Sequence, residues 1–272
     1  MDSEKLNTEN MGGENWDMSD APAFGAEEEL EGPELEDNSA VEDQEAESDL
    51  TEEDYQRDAL RNLMAMSRTA NGTVDVSASA GKKDSMTGVD GQEAANLARE
   101  NFQKAIHEAY ENRGRKFESP EELRQFVEEL ATQINGGLVK EGMLIRSTDS
   151  DKYPYTRIAD LEDTMQQFYQ ELYAKLEDPE QDPVEAAAFA EFGIDFVGHF
   201  FADGCGKTSK VVSSFVLMRS GHSLPDYKRN GGDRKFYYSH TLKQIAGIDP
   251  EADKQGYEDF VNYYRTLFEE EN

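Results

Sequence analysis

The chain has 272 residues and a formal net charge of −32, with 59 acidic and 27 basic side chains. A protein this acidic repels phosphate backbones and anionic lipid, so we expect no direct nucleic-acid binding and no membrane association. The single cysteine, Cys205, excludes an intrachain disulfide, and no window is long and apolar enough to predict a transmembrane helix. Because the polar N-terminus also lacks the apolar region of a secretory signal, we expect a cytoplasmic protein.

The acidic excess lies at the start of the chain, where the first 60 residues contain 22 acidic and two basic side chains. Residues 1–51 have too few apolar side chains to offset the chain entropy lost on folding, so we expect a disordered acidic tail. Residues 52–91 combine a short helical pattern with a stretch rich in Ser, Gly and Thr, which predicts a short helix and a flexible linker. Residues 92–272 are expected to form one helical domain.

Within residues 92–272, apolar side chains recur at helical spacing. Two helix starts are marked by Ser119-Pro120 and Asp182-Pro183, where a capping side chain precedes a proline. The stretch Lys207–Met218 is apolar nearly all round, which predicts a buried helix. The predicted helices cover residues 92–112, 120–135, 160–175, 183–198, 207–218, 234–245 and 250–270.

Two short strands, Met143–Arg146 and Tyr153–Thr156, are predicted to form a small hairpin around a polar turn. The hairpin precedes the central pair of helices, which flank His199. The expected fold class is therefore all-α, with one small β-hairpin before the central helix pair.

The segment His199–Lys210, with the sequence HFFADGCGKTSK, contains the parts of a phosphate-transfer site. His199 can accept a proton from an incoming hydroxyl. Asp203 can hold Mg²⁺ against phosphate oxygens. The glycines and the start of a helix let backbone N–H groups converge on an anion, and Lys207 and Lys210 can neutralise its charge.

This segment resembles the signature of the Fic family, H-P-F-x-[DE]-G-N-G-R-x-x-R. Five positions match outright: His199, Phe201, Asp203, Gly204 and Gly206. The resemblance covers roughly residues 118–246 and implies that residues 92–272 form a Fic-like helical catalytic domain. It departs from the signature in four places, with Phe200 for Pro, Cys205 for Asn, and lysines for both arginines.

The resemblance implies an adenylyltransferase that moves AMP, or another nucleoside monophosphate, from ATP to a hydroxyl side chain of a target protein, with Mg²⁺. His199 would be the base and Asp203 the metal ligand. The target protein would dock by strand addition at the hairpin near Tyr153–Thr156. The nucleotide phosphates would be bound by Gly204, Cys205, Gly206, Lys207 and Lys210.

The family's inhibitory pattern, [ST]-x-x-x-E-[GN], has no full match, since Thr266–Glu270 is followed by Glu271. We therefore expect either inhibition by a separate, antitoxin-like partner protein or no regulation of this kind.

Three other functions remain open at this stage. The same site could act as a Fic-type kinase, or the domain could be a catalytically dead module that binds proteins. The third is a P-loop NTPase, because Gly206-Lys207-Thr208 fits the end of G-x-x-x-x-G-K-[ST]. The first glycine of that motif would be residue 201, which is Phe, and no later segment predicts the strands that a P-loop core needs.

Overall fold

The computed structural model describes residues 84–89, 91–150, 153–227 and 250–268. Within these ranges the protein is helical and forms no sheet, which confirms the all-α prediction. A 3₁₀ turn, Ile158–Asp160, precedes the helix Leu161–Glu177, and a π-helical turn, Gly193–Gly198, extends the helix Pro183–Phe192. The helices are α1 (Gly91–Glu111), α2 (Pro120–Ile134), α3 (Leu161–Glu177), α4 (Pro183–Phe192), α5 (Cys205–Arg219) and α6 (Pro250–Arg265).

Three sequence predictions concern residues outside the described ranges. They are the acidic tail (1–51), the short helix and most of the linker in residues 52–91, and the helix over residues 234–245.

Both predicted helix starts are present, and each is capped by the expected side chain. The Ser119 hydroxyl accepts a hydrogen bond from the Glu122 backbone at 3.3 Å, and the Asp182 carboxylate accepts one from Val184 at 2.9 Å. These caps satisfy donors that the first turn of a helix would otherwise leave unpaired. The starts of α2 and α4 are thereby fixed.

Helix α5 lies at the centre of the domain and contacts α1, α2 and α4. Its apolar side chains from Val211 to Leu217 are buried, as the sequence predicts. The Phe215 ring lies 5.0 Å from the ring of Phe126 and 5.9 Å from that of Phe117, measured between centroids. Because a helix buried on all sides cannot shift without disturbing its neighbours, the N-terminus of α5 is held in a fixed place.

The predicted hairpin differs in the described part of the chain, where the first segment pairs with the loop after His199 and the second with the π-helical turn before it. Ile145 forms an isolated antiparallel bridge with Phe201, and the Thr156 backbone donates to the Val197 carbonyl at 3.0 Å. Neither segment forms a strand ladder within the described ranges, and residues 151–152 of the predicted turn lie outside them. The alternation of the sequence identified extended backbone, but the pairing partner is nonlocal.

The helical architecture bears on two other expectations from the sequence. No helix of the described ranges is long and apolar enough to cross a lipid bilayer. In a P-loop protein the motif follows a strand of a parallel sheet, and the described ranges contain no such strand before Gly206-Lys207-Thr208. The helical fold therefore disfavours the P-loop NTPase.

Candidate active site

The loop His199–Gly204 joins the π-helical turn to the first residue of α5. His199 has φ 45° and ψ 54°, and within the described ranges it is the one residue other than glycine with a positive φ. The left-handed conformation costs such a residue about 1–2 kcal/mol. Because strain of this kind persists only where surrounding contacts impose it, other residues must hold His199 in place.

Arg146 supplies those contacts from the segment predicted as a strand. Its side chain is 8% exposed, and its guanidinium donates hydrogen bonds to four backbone carbonyls. Nε donates to His199 at 2.9 Å, Nη1 to Thr148 at 2.9 Å, and Nη2 to Gly198 at 3.1 Å and to Thr156. Burial lowers the pKa of Arg146, but a guanidinium remains charged in proteins. A single buried cation therefore ties three segments of the chain together.

The His199 ring lies between an aromatic ring and a carboxylate. The Tyr155 ring stacks on it, with 4.1 Å between centroids and 4° between planes. Nδ1 of His199 lies 3.2 Å from the Asp195 carbonyl oxygen and 3.8 Å from the Asp195 carboxylate oxygen Oδ1. Because a carbonyl can only accept, this hydrogen bond requires the proton on Nδ1 and leaves the lone pair on Nε2. The ring is held in the tautomer that can accept a proton at Nε2.

The Asp203-Gly204 turn is held against the end of α2. The Asn135 side-chain amide donates to the Asp203 carbonyl at 3.0 Å. Gly204 has φ 72°, and a Cβ added there would lie 2.9 Å from Asn135 Oδ1 and 3.1 Å from Ile134 Cγ2. Glycine is thus required at position 204 both by the backbone angle and by the close approach of α2. The Asp203 side chain itself is partly exposed.

The N-terminus of α5 lies beside the same carboxylate that contacts His199. Gly204 is the N-cap of this helix and has no side-chain oxygen to accept from the first N–H groups, although its carbonyl accepts from the Lys207 N–H at 3.0 Å. A Cβ added at Gly206 would lie 3.3 Å from Oδ2 of Asp195, whose side chain is buried. Helix N-termini favour anions. The structure thus brings His199, the Asp203-Gly204 turn and the start of α5 to one place.

The two lysines of the motif have different surroundings. Lys210 is 14% exposed, its Nζ lies 3.2 Å from Glu191 Oε1, and it donates to the Gly206 carbonyl at 3.1 Å. Burial alone would lower the pKa of Lys210, but the charges of Glu191 and Asp195 raise it, so the ammonium is charged. Lys207 lies in the first turn of α5, partly exposed, and its side chain makes no ion pair within the described ranges. Lys207 is therefore the lysine better placed for a phosphate.

The Cys205 side chain is directed into the core, away from solvent. It is 2% exposed, and its Sγ both accepts from the Phe201 N–H and donates to the Phe201 carbonyl, each at 3.3 Å. Phe200 is likewise buried, with its ring 5.3 Å from that of Phe168. Both departures from the motif are thus packing residues here, and Cys205 can reach an anion only through its backbone N–H.

Four residues of this site were not identified from the sequence. Asp195 precedes His199 by four positions, a spacing that places two side chains on one helical face, and this signal was available. Glu191 also lies on the helix that leads to the motif, but nothing local links it to Lys210. Arg146 and Asn135 act from distant segments through backbone carbonyls, for which the sequence carries no pattern.

We predict that Gly204→Ala destabilises the protein more than Gly142→Ala does. Both glycines have a similar positive φ, 72° and 77°, but an added Cβ meets Asn135 at position 204 and nothing within 4 Å at position 142. The backbone angle alone costs about 1 kcal/mol, and the contact adds about 1–3 kcal/mol. Urea unfolding followed by circular dichroism measures both. Equal losses would show that the approach of α2 does not constrain this turn.

We also predict that Arg146→Lys lowers the free energy of unfolding by about 2–4 kcal/mol, because one ammonium cannot reach four carbonyls and buried acceptors are left unpaired. The matched control is Arg265→Lys, since Arg265 is 45% exposed and pairs with Asp182 on the surface. That change should cost less than about 1 kcal/mol. If the two variants unfold at the same urea concentration, Arg146 does not stabilise the loop.

No protein-family model matches the chain, and neither does any curated protein. Its structure is similar to that of a Fic domain containing signaling protein from Bacteroides thetaiotaomicron, with a TM-score of 0.57 and 17% identity over 83% of this chain and 95% of that one. A Fic family protein from Desulfovibrio desulfuricans aligns with a TM-score of 0.49 and 17% identity, over 82% of this chain and 66% of that one. Together with the helical architecture around the His199–Lys210 segment, the first similarity shows that the chain has the fold of a Fic domain protein.

Proposed function

We propose that the protein transfers a nucleoside monophosphate, in the first place AMP from ATP, to a hydroxyl side chain of a target protein. The observation that supports this best is that the His199 ring and the start of α5 both border the buried Asp195 carboxylate. A proton acceptor and an anion-binding helix start are thereby adjacent, which is the requirement for attack of a hydroxyl on a phosphate.

In the proposed reaction, Nε2 of His199 takes the proton of the target hydroxyl. The hydroxyl oxygen forms a bond to the α-phosphorus, and the bond from that phosphorus to its bridging oxygen breaks. Pyrophosphate leaves with the electron pair. The backbone N–H groups at Gly204–Gly206 and the Lys207 ammonium would neutralise charge on the phosphates.

Asp203 would contribute the protein ligand of a magnesium ion. The described ranges contain no group of three or more His, Cys, Asp or Glu that could hold a metal by itself. A single carboxylate nevertheless fits Mg²⁺, which usually keeps several waters and shares its remaining ligands with substrate phosphates. When bound, the ion would neutralise phosphate charge.

The bridge between Ile145 and Phe201 supports the docking of a target strand at this edge. Its hydrogen bonds run through the neighbouring residues, from Arg146 to Phe200 and from Ala202 to Leu144. In such a pair the N–H and C=O of Ile145 point to the opposite side, where an incoming strand can bond to them. Tyr155, in the segment predicted for docking, already lies against His199, so a hydroxyl docked here would be near the base. An inhibitory partner protein stays a prediction from the motif resemblance.

We predict that Lys207→Ala and Lys210→Met have opposite patterns of effect. Lys207→Ala should weaken ATP binding about tenfold and leave stability unchanged, because the side chain makes no ion pair in the described part of the chain. Lys210→Met should lower the free energy of unfolding by about 3–5 kcal/mol, because Glu191 would remain buried without its cation. Calorimetry with ATP and urea unfolding measure the two quantities. The reverse pattern would make Lys210 the phosphate ligand.

The transferred group is identified by incubating a cell lysate with the protein and either α- or γ-labelled ATP. We expect protein labelling from the α position only, and a loss of about 100- to 10,000-fold with His199→Ala, whose circular dichroism should match the parent. The control His222→Ala changes a partly exposed histidine outside the loop and should retain full activity. Label from the γ position alone would indicate a kinase. Absence of label, with ATP binding also absent in calorimetry, would indicate a protein-binding module.

A further inference from the structure

Asp195 is a buried carboxylate beside the His199 ring, and the sequence motif does not contain it. Its side chain is 5% exposed, Oδ1 lies 3.8 Å from His199 Nδ1, and Oδ2 lies beside Gly206. Removing a carboxylate from water is unfavourable unless nearby groups compensate for the loss of hydration. The N-terminus of α5 and the Lys210 ammonium contribute to that compensation, and the Asp195 charge in turn raises the pKa of Lys210.

We propose that Asp195 is the positioning residue of His199. Its backbone carbonyl fixes the Nδ1–H tautomer, and its carboxylate stabilises the imidazolium that forms when Nε2 takes the proton of the target hydroxyl. The proposal rests on the proposed function for its catalytic part, whereas the tautomer is a property of the protein without substrate.

Two other residues that contact His199, Tyr155 and Arg146, do not provide this stabilisation. Tyr155 stacks on the ring face, and its phenol stays protonated because burial and the Asp195 charge raise its pKa. Arg146 binds the His199 backbone carbonyl and carries a positive charge, which opposes a second positive charge nearby. Among these neighbours, Asp195 alone carries a negative charge that can balance an imidazolium.

The π-helical turn explains why this pairing is possible. Asp195 lies within the turn, and His199 follows its last residue in a left-handed conformation. Turns of this kind widen a helix locally and often occur at functional sites. Here the turn lets the ring of residue 199 fold back onto the carbonyl four residues earlier, where α-helical geometry would place a backbone N–H.

The first measurement uses the full-length protein without substrate. Ring ¹⁵N shifts distinguish the two neutral tautomers, and the His199 signal among the four histidines is assigned by its absence in His199→Ala. We expect the neutral ring to carry its proton on Nδ1. A proton on Nε2 would overturn the proposal, whatever the activity of the protein.

The second measurement compares Asp195→Asn with Asp182→Asn in transfer of α-labelled AMP. Asparagine keeps the size of aspartate and the backbone carbonyl but removes the charge that would balance the imidazolium, so we expect kcat to fall about 10- to 1,000-fold with KM within about threefold. Asp182 caps the other end of α4, and its change should leave kcat within about twofold. Because Asp195→Asn keeps the backbone carbonyl, its neutral ring should remain in the Nδ1–H tautomer.

The outcomes separate this proposal from the proposed function. If the parent transfers no label but its ring carries the proton on Nδ1, the function fails while the tautomer assigned to the Asp195 carbonyl stands. A kcat of Asp195→Asn within twofold of the parent, or a rise in KM with kcat unchanged, would overturn the positioning role while the transferase function stands. Should Asp195→Asn not fold, the parent tautomer decides the question.

Discussion

The burial of the Arg146 guanidinium is the constraint on which the geometry of the candidate site depends. A buried guanidinium is stable only if its N–H groups donate hydrogen bonds. Two of the acceptors are the backbone carbonyls of Gly198 and His199, in the candidate site itself. By binding the carbonyl of His199 itself, Arg146 stabilises a backbone conformation that the residue would not otherwise adopt. The desolvation of one cation and the strain of one histidine are therefore offset by the same hydrogen bonds.

The buried ion pair between Lys210 and Glu191 determines which groups of the motif remain available to a ligand. Glu191 accepts hydrogen bonds from Tyr227 at 2.6 Å and from Ser213 at 3.3 Å, in addition to its ion pair with Lys210. A network this enclosed fixes the first two turns of α5 against α4, since each partner would be costly to leave unpaired. The Lys210 ammonium thus helps to hold α5 in place through its ion pair with Glu191. An anion bound here would instead interact with the N-terminus of α5 and with the Lys207 side chain.

Sequence patterns predicted the helices well, because caps and apolar periodicity are local signals. Ser119 and Asp182 cap the helices expected of them, and the apolar stretch after Lys207 is a buried helix. The extended segment around Ile145 was predicted, but its partner was not, since pairing with Phe201 joins residues far apart in the chain. For the same reason the motif singled out His199 and Asp203 as candidates, whereas Arg146 and Asn135, which bind their backbone carbonyls, could not be recognised. Only Asp195 lay within reach of a local spacing argument.

Two of the four departures from the Fic signature, Phe200 and Cys205, have a common physical explanation in the core beneath the loop. Phe200 fills space against Phe168, and Cys205 bonds through sulfur to both backbone groups of Phe201. Bonds to sulfur are weaker than those that an amide would make, but the thiol is small and apolar enough to be buried in the core. A loop packed in this way does not depend on a proline or an amide side chain for its shape. Phe200 and Cys205 therefore support the loop from the core, and neither side chain faces the proposed nucleotide site at His199 and the start of α5.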